Sequence, residues 1–511
     1  MKSPDNINFT SKVGRQWPGS KRLARTKRYR WAARLVFLSL LFLLVRSGAE
    51  AQKEQLSLRQ LVELAQEQSI AARQAKTTMD TRYWEWRSFQ AALRPQLLLM
   101  GNLPDFTRAF QEVVQPDGTV EFQSVTVNNS GLSLGISQSI AATGGSVFVS
   151  TVVQRFDDFD RDKAIYSGQP FAVGFSQPLF GFNELKWDKK IEPLRYRESQ
   201  QLYLQAREEV AVEATGLYFD LLLAQVNLEM AQANLAGNDT LFKIAQEREA
   251  LGQLSRNDLL QLQLSVLNAR KDVASARQGL EAARLGLRAY VGLQEEQGLS
   301  LQVPAEIPAL KVDEEEALKL AWANRPEVTG FQRRKLQAGQ AVARARGETG
   351  IEATLSASFG LSNRAGRFGE IYQQPQDYES VRLQFSIPIV DWGRASSRRA
   401  TARANQEFAE ASIEQDKANF EQEVRTQSKL YNMLREQLQL SYDADQIAQE
   451  RYRIAKDRFL LADLSITDLN LALQEKDFAR RDYIQALRSF WLAYYNLRSL
   501  TLYDFERGVG L

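Results

Sequence analysis

Apolar positions along this chain obey two periods, each confined to its own kind of segment. Val210, Ala214, Leu217, Leu221, Ala224 and Leu228 recur at steps of four and three, and Phe420, Val424, Gln427, Tyr431, Leu434 and Leu438 repeat that spacing. Such steps make a heptad seam, suited to long helices packed side by side. The stretch Arg394–Arg507 contains neither Gly nor Pro and is rich in Ala, Leu, Glu, Gln and Arg. It predicts helix throughout, interrupted only by a turn at Ala462–Ser465. A continuous helix over 183–251 would extend roughly 100 Å at ~1.5 Å per residue, too long for a compact globule of this size.

The second period is two. Val381, Leu383, Phe385 and Ile387 alternate with Arg382, Gln384 and Ser386. Ala353, Leu355, Ala357, Phe359 and Leu361 alternate with Thr354, Ser356, Ser358, Gly360 and Ser362. Earlier in the chain, Leu132, Leu134 and Ile136 alternate with Ser133, Gly135 and Ser137, followed by strand-like runs at Val147–Gln154 and Phe171–Phe175. One apolar face on strands of about ten residues suits a sheet standing between lipid and water. Four to seven such strands cannot close a spanning barrel of the usual size within one chain, and open edges are not tolerated in lipid. Copies of the chain would have to complete the barrel together. Phe171, Phe180, Phe182, Trp187, Tyr372, Tyr378 and Trp392 bracket the strands, as interfacial aromatic belts do.

Both kinds of segment occur twice. Phe175-Ser176-Gln177-Pro178-Leu179-Phe180 aligns with Phe385-Ser386-Ile387-Pro388-Ile389-Val390 at an offset of 210, which also aligns Gly252–Leu259 with Ala462–Leu469 and Leu287-Arg288 with Leu497-Arg498. Upstream, Leu61–Ala65 aligns with Ala317–Ala321 at an offset of 256, so the first copy holds 46 more residues between its opening helix and its long helix. The expected organisation is a first repeat over 56–303, with a β segment about 96–180, a long helix about 183–251 and a helix about 255–291. A second repeat over 310–505 has a β segment about 352–390, a long helix about 391–461 and a helix about 465–503. Ser57 with Gln60, and Asp313 with Glu316, read as capping boxes opening each repeat, and Asn183 and Asp391 read as caps of the long helices.

Charge changes the picture at the N-terminus. Residues 1–51 carry 11 Lys/Arg against 2 Asp/Glu; the remainder holds 54 basic and 60 acidic residues, an acidic balance that argues against nucleic acid as a partner. Basic residues crowd Lys21–Arg34 before an 11-residue apolar run, Leu35–Val45, and Ala49 and Ala51 give a cleavage-like pattern. The run is shorter than the roughly 20 residues of a spanning helix, so 1–51 reads as a signal peptide. With no Cys and no His, thiolate chemistry, His-containing metal sites and a Ser/His/Asp triad are excluded. No cofactor or metal is expected.

The duplicated junctions FSQPLFGFN (175–183) and FSIPIVDWG (385–393), the two G-x-x-S-x-x-D-L-like turns and Asn324-Arg325-Pro326-Glu327 together resemble the TolC-like outer-membrane efflux protein family over about 56–505. The resemblance implies a mainly α fold with membrane β: a duplicated long-helix periplasmic barrel plus a β-barrel shared between the protomers of a homotrimer in outer-membrane lipid. It implies a passive exit duct, not an enzyme, serving an efflux or type I secretion system with a periplasmic adaptor and an inner-membrane pump. The adaptor-docking tip falls on Gly252, Gln253, Leu254 and Ser255, and on Ala462, Asp463, Leu464 and Ser465. Acidic gate positions fall on Asp468 and its repeat counterpart Asp258; three residues beyond Asp468 stands Leu471, leaving Asn470 as the polar neighbour. A ring of Asp468 carboxylates would favour cations at a narrow aperture. Alternatively, Asp258 and Asp468 complement a helix N-terminus.

Other motifs have plainer readings. Thr143-Gly144-Gly145-Ser146 lacks the lysine of a phosphate loop and reads as a turn, and carboxylate pairs such as Glu208-Glu209 read as solvated helix faces. A periplasmic coiled-coil adaptor is the competing function, disfavoured by the duplicated strand blocks. A glycosidase with paired carboxylates would need a compact pocket.

Overall fold

The computed structural model describes residues 55–293, 300–304, 306–308, 310–461 and 463–511. The signal-peptide expectation and Ala462 lie outside these. The chain divides into two compact units, and the larger, Leu56–Glu295 with Leu301–Leu511, contains every element named below.

Helices come first: α1 (Leu58–Gln68) and α2 (Ile70–Ala92). A strand block follows, consisting of β1 (Gln96–Asn102), β2 (Phe106–Val114), β3 (Val120–Ile140), β4 (Gly145–Asp158) and β5 (Lys163–Pro178). It leads into α3 (Glu184–Ala250) and α4 (Arg256–Val291). The second series has α5 (Glu314–Asn324), α6 (Pro326–Glu348), β6 (Glu352–Ala365), β7 (Gln376–Ser386), α7 (Arg394–Leu460) and α8 (Ile466–Thr501). The pair α3 and α7 are each 67 residues long, about 100 Å at ~1.5 Å per residue, and the pair α4 and α8 are each 36.

Capping explains where these helices begin. Ser57 and Gln60 form a complete capping box, and the Asp313 carboxylate accepts from the Glu316 N–H at 3.1 Å. Asn183 caps α3 by accepting from the Lys186 N–H at 3.0 Å. Asp391 departs from expectation. The cap of α7 is Gly393, at φ +86°, and Asp391 reaches in from outside the helix to accept from the Gly393 and Ala395 N–H groups at 3.0 and 2.8 Å. Its carboxylate still serves the helix start, but the sharp turn itself belongs to a glycine.

The heptad seam also needs correction. Leu217, Ala224 and Leu228 are only half-buried, whereas Ala211, Thr215, Tyr218, Phe219, Leu222 and Val226 join Val210, Ala214 and Leu221 inside. On α7, Ser428 rather than Gln427 is buried. Helix α3 packs against α1, α2, α4, α6 and α8, so its apolar face must be wider than a two-helix seam.

The strand block and β6–β7 form one antiparallel sheet ordered β1-β3-β4-β5-β6-β7, with β2 beside the upper half of β3. The long strand β3 accounts for the extra residues of the first copy. Its first half pairs with β2 (Phe106↔Asn128 through Val114↔Val120) in a hairpin whose turn holds Asp117-Gly118, and its second half pairs with β1 and β4. The last strand ends at Ser386, short of Ile387, because Pro388 follows and cannot donate to a ladder. Among the described residues no helix is long and apolar enough to cross a membrane.

Candidate functional site

Two features of this architecture bear on function: the sheet and the paired helix turns. In the sheet, register sorts side chains by chemistry. Cross-strand partners share a face. Following the pairings from Leu97 to Ile136, Val149, Val173 and Phe359 keeps to a single face. On that face also lie Leu99, Leu134, Val147, Phe175, Ala357, Val381, Leu383 and Phe385. The opposite face carries Ser133, Gly135, Ser137, Ser150, Ser358 and Ser380. The apolar face is not covered by the chain itself: Leu97 is 66% exposed, Leu383 56% and Phe385 65%. At one end the same face turns polar, with Asn128, Arg155 and Asp157 joined by the Asn128–Asp157 bond at 2.9 Å and the Arg155–Asp157 ion pair at 2.8 Å. Strands β1 and β7 each pair on one side only among the described residues.

Of the expected aromatic belt, Phe180 (63% exposed) and Trp392 (96% exposed) stand free at the two strand-to-helix junctions. Trp187 does not belong to it: its ring lies beside Gly339 of α6, with the Lys190 ammonium 5.6 Å from the ring centroid. Tyr378 falls on the polar face of β7, in register with Gly360.

The two helix turns are built alike. After α3, Gly252 takes φ +70°, and the Gln253 N–H returns to the Arg248 carbonyl at 2.8 Å, closing the helix with a residue free of a Cβ penalty. Ser255 then caps α4, accepting from the Asp258 N–H at 3.1 Å while its hydroxyl donates to the Asp258 carboxylate at 2.6 Å. After α7, the Asp463 N–H returns to the Arg458 carbonyl at 3.0 Å, and Arg458 pairs with the Asp463 carboxylate at 2.9 Å. Ser465 caps α8 with the same two bonds to Asp468, at 3.1 and 2.7 Å. Asp258 and Asp468 therefore both work as capping partners; Asp468 remains exposed, Asp258 and Asn470 are half-buried, and Leu471 is exposed. Leu254 and Leu464 pack onto a shared core of Leu241, Ala245, Leu259, Leu262, Phe459 and Leu469, which brings the two turns side by side. Arg248 ties them further, donating to the last carbonyls of α7, Phe459 and Leu460, the latter at 2.5 Å. Beside the second turn a groove of ≈ 570 Å³ is lined by Ile447, Arg451, Ile454, Arg458, Leu464 and Asp468.

Polar contacts deeper in the bundle escaped the pattern reading. Glu208, read as one of a solvated pair, is buried, and Arg498 clamps it at 2.9 Å and Asp504 at 2.9 Å. Burial alone would lower the Arg498 guanidinium, but the Glu208 carboxylate outweighs it and holds the charge more firmly than usual. Asn324 donates to the Thr501 carbonyl and Arg325 to the Ser499 carbonyl, at 3.2 and 2.9 Å. That pair occupies the open carbonyls at the end of α8. Asp445, with no exposure, holds Arg480 at 3.0 Å.

Comparison with known proteins agrees with this geometry. Residues 129–293 match the family described as outer membrane efflux protein. No curated protein matches the sequence. Among solved structures, a membrane protein from Pseudomonas aeruginosa is similar at TM-score 0.63 and 16% identity, covering 88% of this chain and 91% of its own. The Campylobacter jejuni CmeC outer membrane channel has TM-score 0.63 and 15% identity, covering 87% of this chain and 85% of its own. The Neisseria gonorrhoeae MtrE outer membrane channel, in its open state, has TM-score 0.60 and 16% identity, covering 87% and 88%. Identities this low establish a common fold.

Proposed function

We propose that this chain, a TolC-like outer-membrane efflux protein, is one subunit of a homotrimeric exit duct from the periplasm to the exterior. The observation that carries the reading is the sheet: one face apolar and uncovered, the other rich in Ser and Gly, and both outer strands paired on one side only among the described residues. Lipid accepts such a sheet only when its edges are closed. Neighbouring copies supply the closure, and the apolar face meets the hydrocarbon of the outer membrane. Beyond the sheet, α3, α4, α7 and α8 from each copy would enclose a periplasmic tunnel. Transport through it is passive, with an inner-membrane pump selecting cargo and an adaptor linking pump to duct in an efflux or type I secretion system.

On this reading the turns at Gly252–Ser255 and Asp463–Ser465 form the periplasmic tip. The groove beside the second turn, with exposed Ile447 and Ile454 alternating along α7 with Arg451 and Arg458, suits an adaptor helix. Asp468, with Asn470 behind it and Asp258 on the other hairpin, is the group proposed to face the aperture. Asp468→Ala is expected to raise leak or weaken divalent block of conductance in planar bilayers; unchanged conductance would remove it from the gate. The test of the function is extraction of the full chain from outer membranes in detergent, followed by native mass measurement and bilayer recording. Three copies forming ion-conducting pores are expected. A water-soluble monomer without conductance would refute the duct.

A further inference from the structure

We infer that each chain gives six strands to the pore wall, two from its second half and four from its first, so that three chains close an 18-stranded barrel with a wide lumen rich in Ser and Gly. This rests on the three-chain duct proposed above. Equal halves, each contributing the two strands that the second half has, would give a four-stranded share and a 12-stranded barrel. The halves are not equal: β6 and β7 stand in the second, whereas β1, β3, β4 and β5 stand in the first.

Three observations place β1 and β3 in the wall rather than on its outside. First, β3 is an interior strand. It pairs with β4 continuously from Val127↔Asp158 to Ile140↔Gly145 and with β1 from Gln96↔Ser137 to Asn102↔Gly131. A wall ending at β4 would require fourteen of those residue pairs to part. Second, β3 has the two-faced chemistry of the others, with Leu132, Leu134 and Ile136 on one side and Ser133, Gly135 and Ser137 on the other. A strand lying outside the wall would have no reason for a lumen-like face. Third, the apolar band crosses all six strands on one slope. Traced through the register, its centre lies near Leu134 on β3 and near Leu383 on β7, and moves along the ladder by about one and a half residues per strand. With ~3.3 Å rise per residue and ~4.8 Å between strands, that slope is a tilt of about 45°, at the steep end of the range for closed barrels. Leu97 and Leu99 on β1 fall in the same band.

An 18-stranded wall at that tilt has a backbone diameter of about 39 Å, against about 26 Å for 12 strands. Barrels of 16–18 strands leave an aqueous channel. Ser and Gly predominate on the inward face of β3, β5 and β6, while Leu98, Phe148, Tyr378 and Arg382 also stand on it and take up part of that width. The cargo class that fits is bulky and hydrophilic, including polypeptide segments as wide as a helix, which measures about 10–12 Å with its side chains.

Closure then requires β1 of one copy beside β7 of the next. The chain has no native Cys, so paired substitutions report this contact directly. Leu99→Cys with Leu383→Cys, treated in outer membranes with a short bismaleimide, is expected to convert most of the chain into covalent dimers and trimers on denaturing gels. Val149→Cys with Leu383→Cys, which would meet only if β4 formed the edge, is expected to stay monomeric on the same gels. Cross-linking of the second pair, or none of the first pair in complexes whose native mass shows three copies, overturns the six-strand share. A native mass of two copies instead sinks the trimer beneath it.

Discussion

At the scale of single residues, the buried charges matter most. The Arg498 guanidinium pairs with Glu208, whose side chain is 5% exposed, and with Asp504, 6% exposed. Arg498→Ala would strip the buried Glu208 of this counter-charge and leave Asp504 to the longer Arg507 pair at 4.0 Å, and a loss of about 3–5 kcal/mol is expected. The check is the denaturation midpoint of the detergent-solubilised protein, with Glu208→Gln in the same chain recovering part of the loss. Buried tyrosines add a pH dependence. Burial pushes Tyr431 and Tyr494 up to about 12, from an ordinary value of 10.0. Below pH 10 both are protonated in folded and unfolded chains alike. Between about 10 and 12 the unfolded chain releases these protons first, so folded-state stability falls as pH rises through that window. Melting curves from pH 9 to 12 should show the decline, and Tyr431→Phe with Tyr494→Phe should flatten it. An unchanged slope in the double variant would assign the decline to other groups.

Among elements, the duplication has one structural consequence that the periodicity could not display. Helix pairs related by the offset of 210 are equal in length, yet the two turns they form end differently: Gly252 closes one, and an Arg458–Asp463 ion pair braces the other. Arg248 crosses between them, occupying carbonyls of α7 that have no helical partner. Arg248→Ala should speed deuterium exchange over 459–465 while leaving the middle of α7 protected; equal exchange in both proteins would show that the shared apolar core alone holds the tips. Serine caps and acidic third positions were readable from sequence because they act within four residues. The partners of Arg248, Arg498 and Arg325 lie far along the chain, and no local pattern announces them. The Asn324-Arg325 pair stood out as part of a motif, but its chemistry became legible only against the end of α8.

For the whole molecule, the decisive property is that one sheet must meet both lipid and water. Arginine on the apolar face should therefore be costly and arginine on the polar face tolerated. Val149→Arg is expected to cost about 2–4 kcal/mol near mid-membrane and to lower the amount of chain assembled in the outer membrane, whereas Ser380→Arg should assemble normally. Quantifying heat-resistant oligomers in outer-membrane fractions checks both; a reversed order of yields would mean the faces have been assigned the wrong way round, and equal yields that neither face meets lipid.

Sequence by itself determined the periods, and through them which segments are rods, which are strands, and which face of each strand is apolar. These are local properties, set by side-chain alternation and by the absence of Gly and Pro, so they survive without any knowledge of neighbours. Only the tertiary structure decided how the 46 extra residues of the first half are spent, in a long strand shared between a projecting hairpin and the sheet. It also decided which residues of α3 are buried, because that depends on how many helices surround it. Strand order and burial are set by contacts between distant segments, and a one-dimensional pattern carries no term for those.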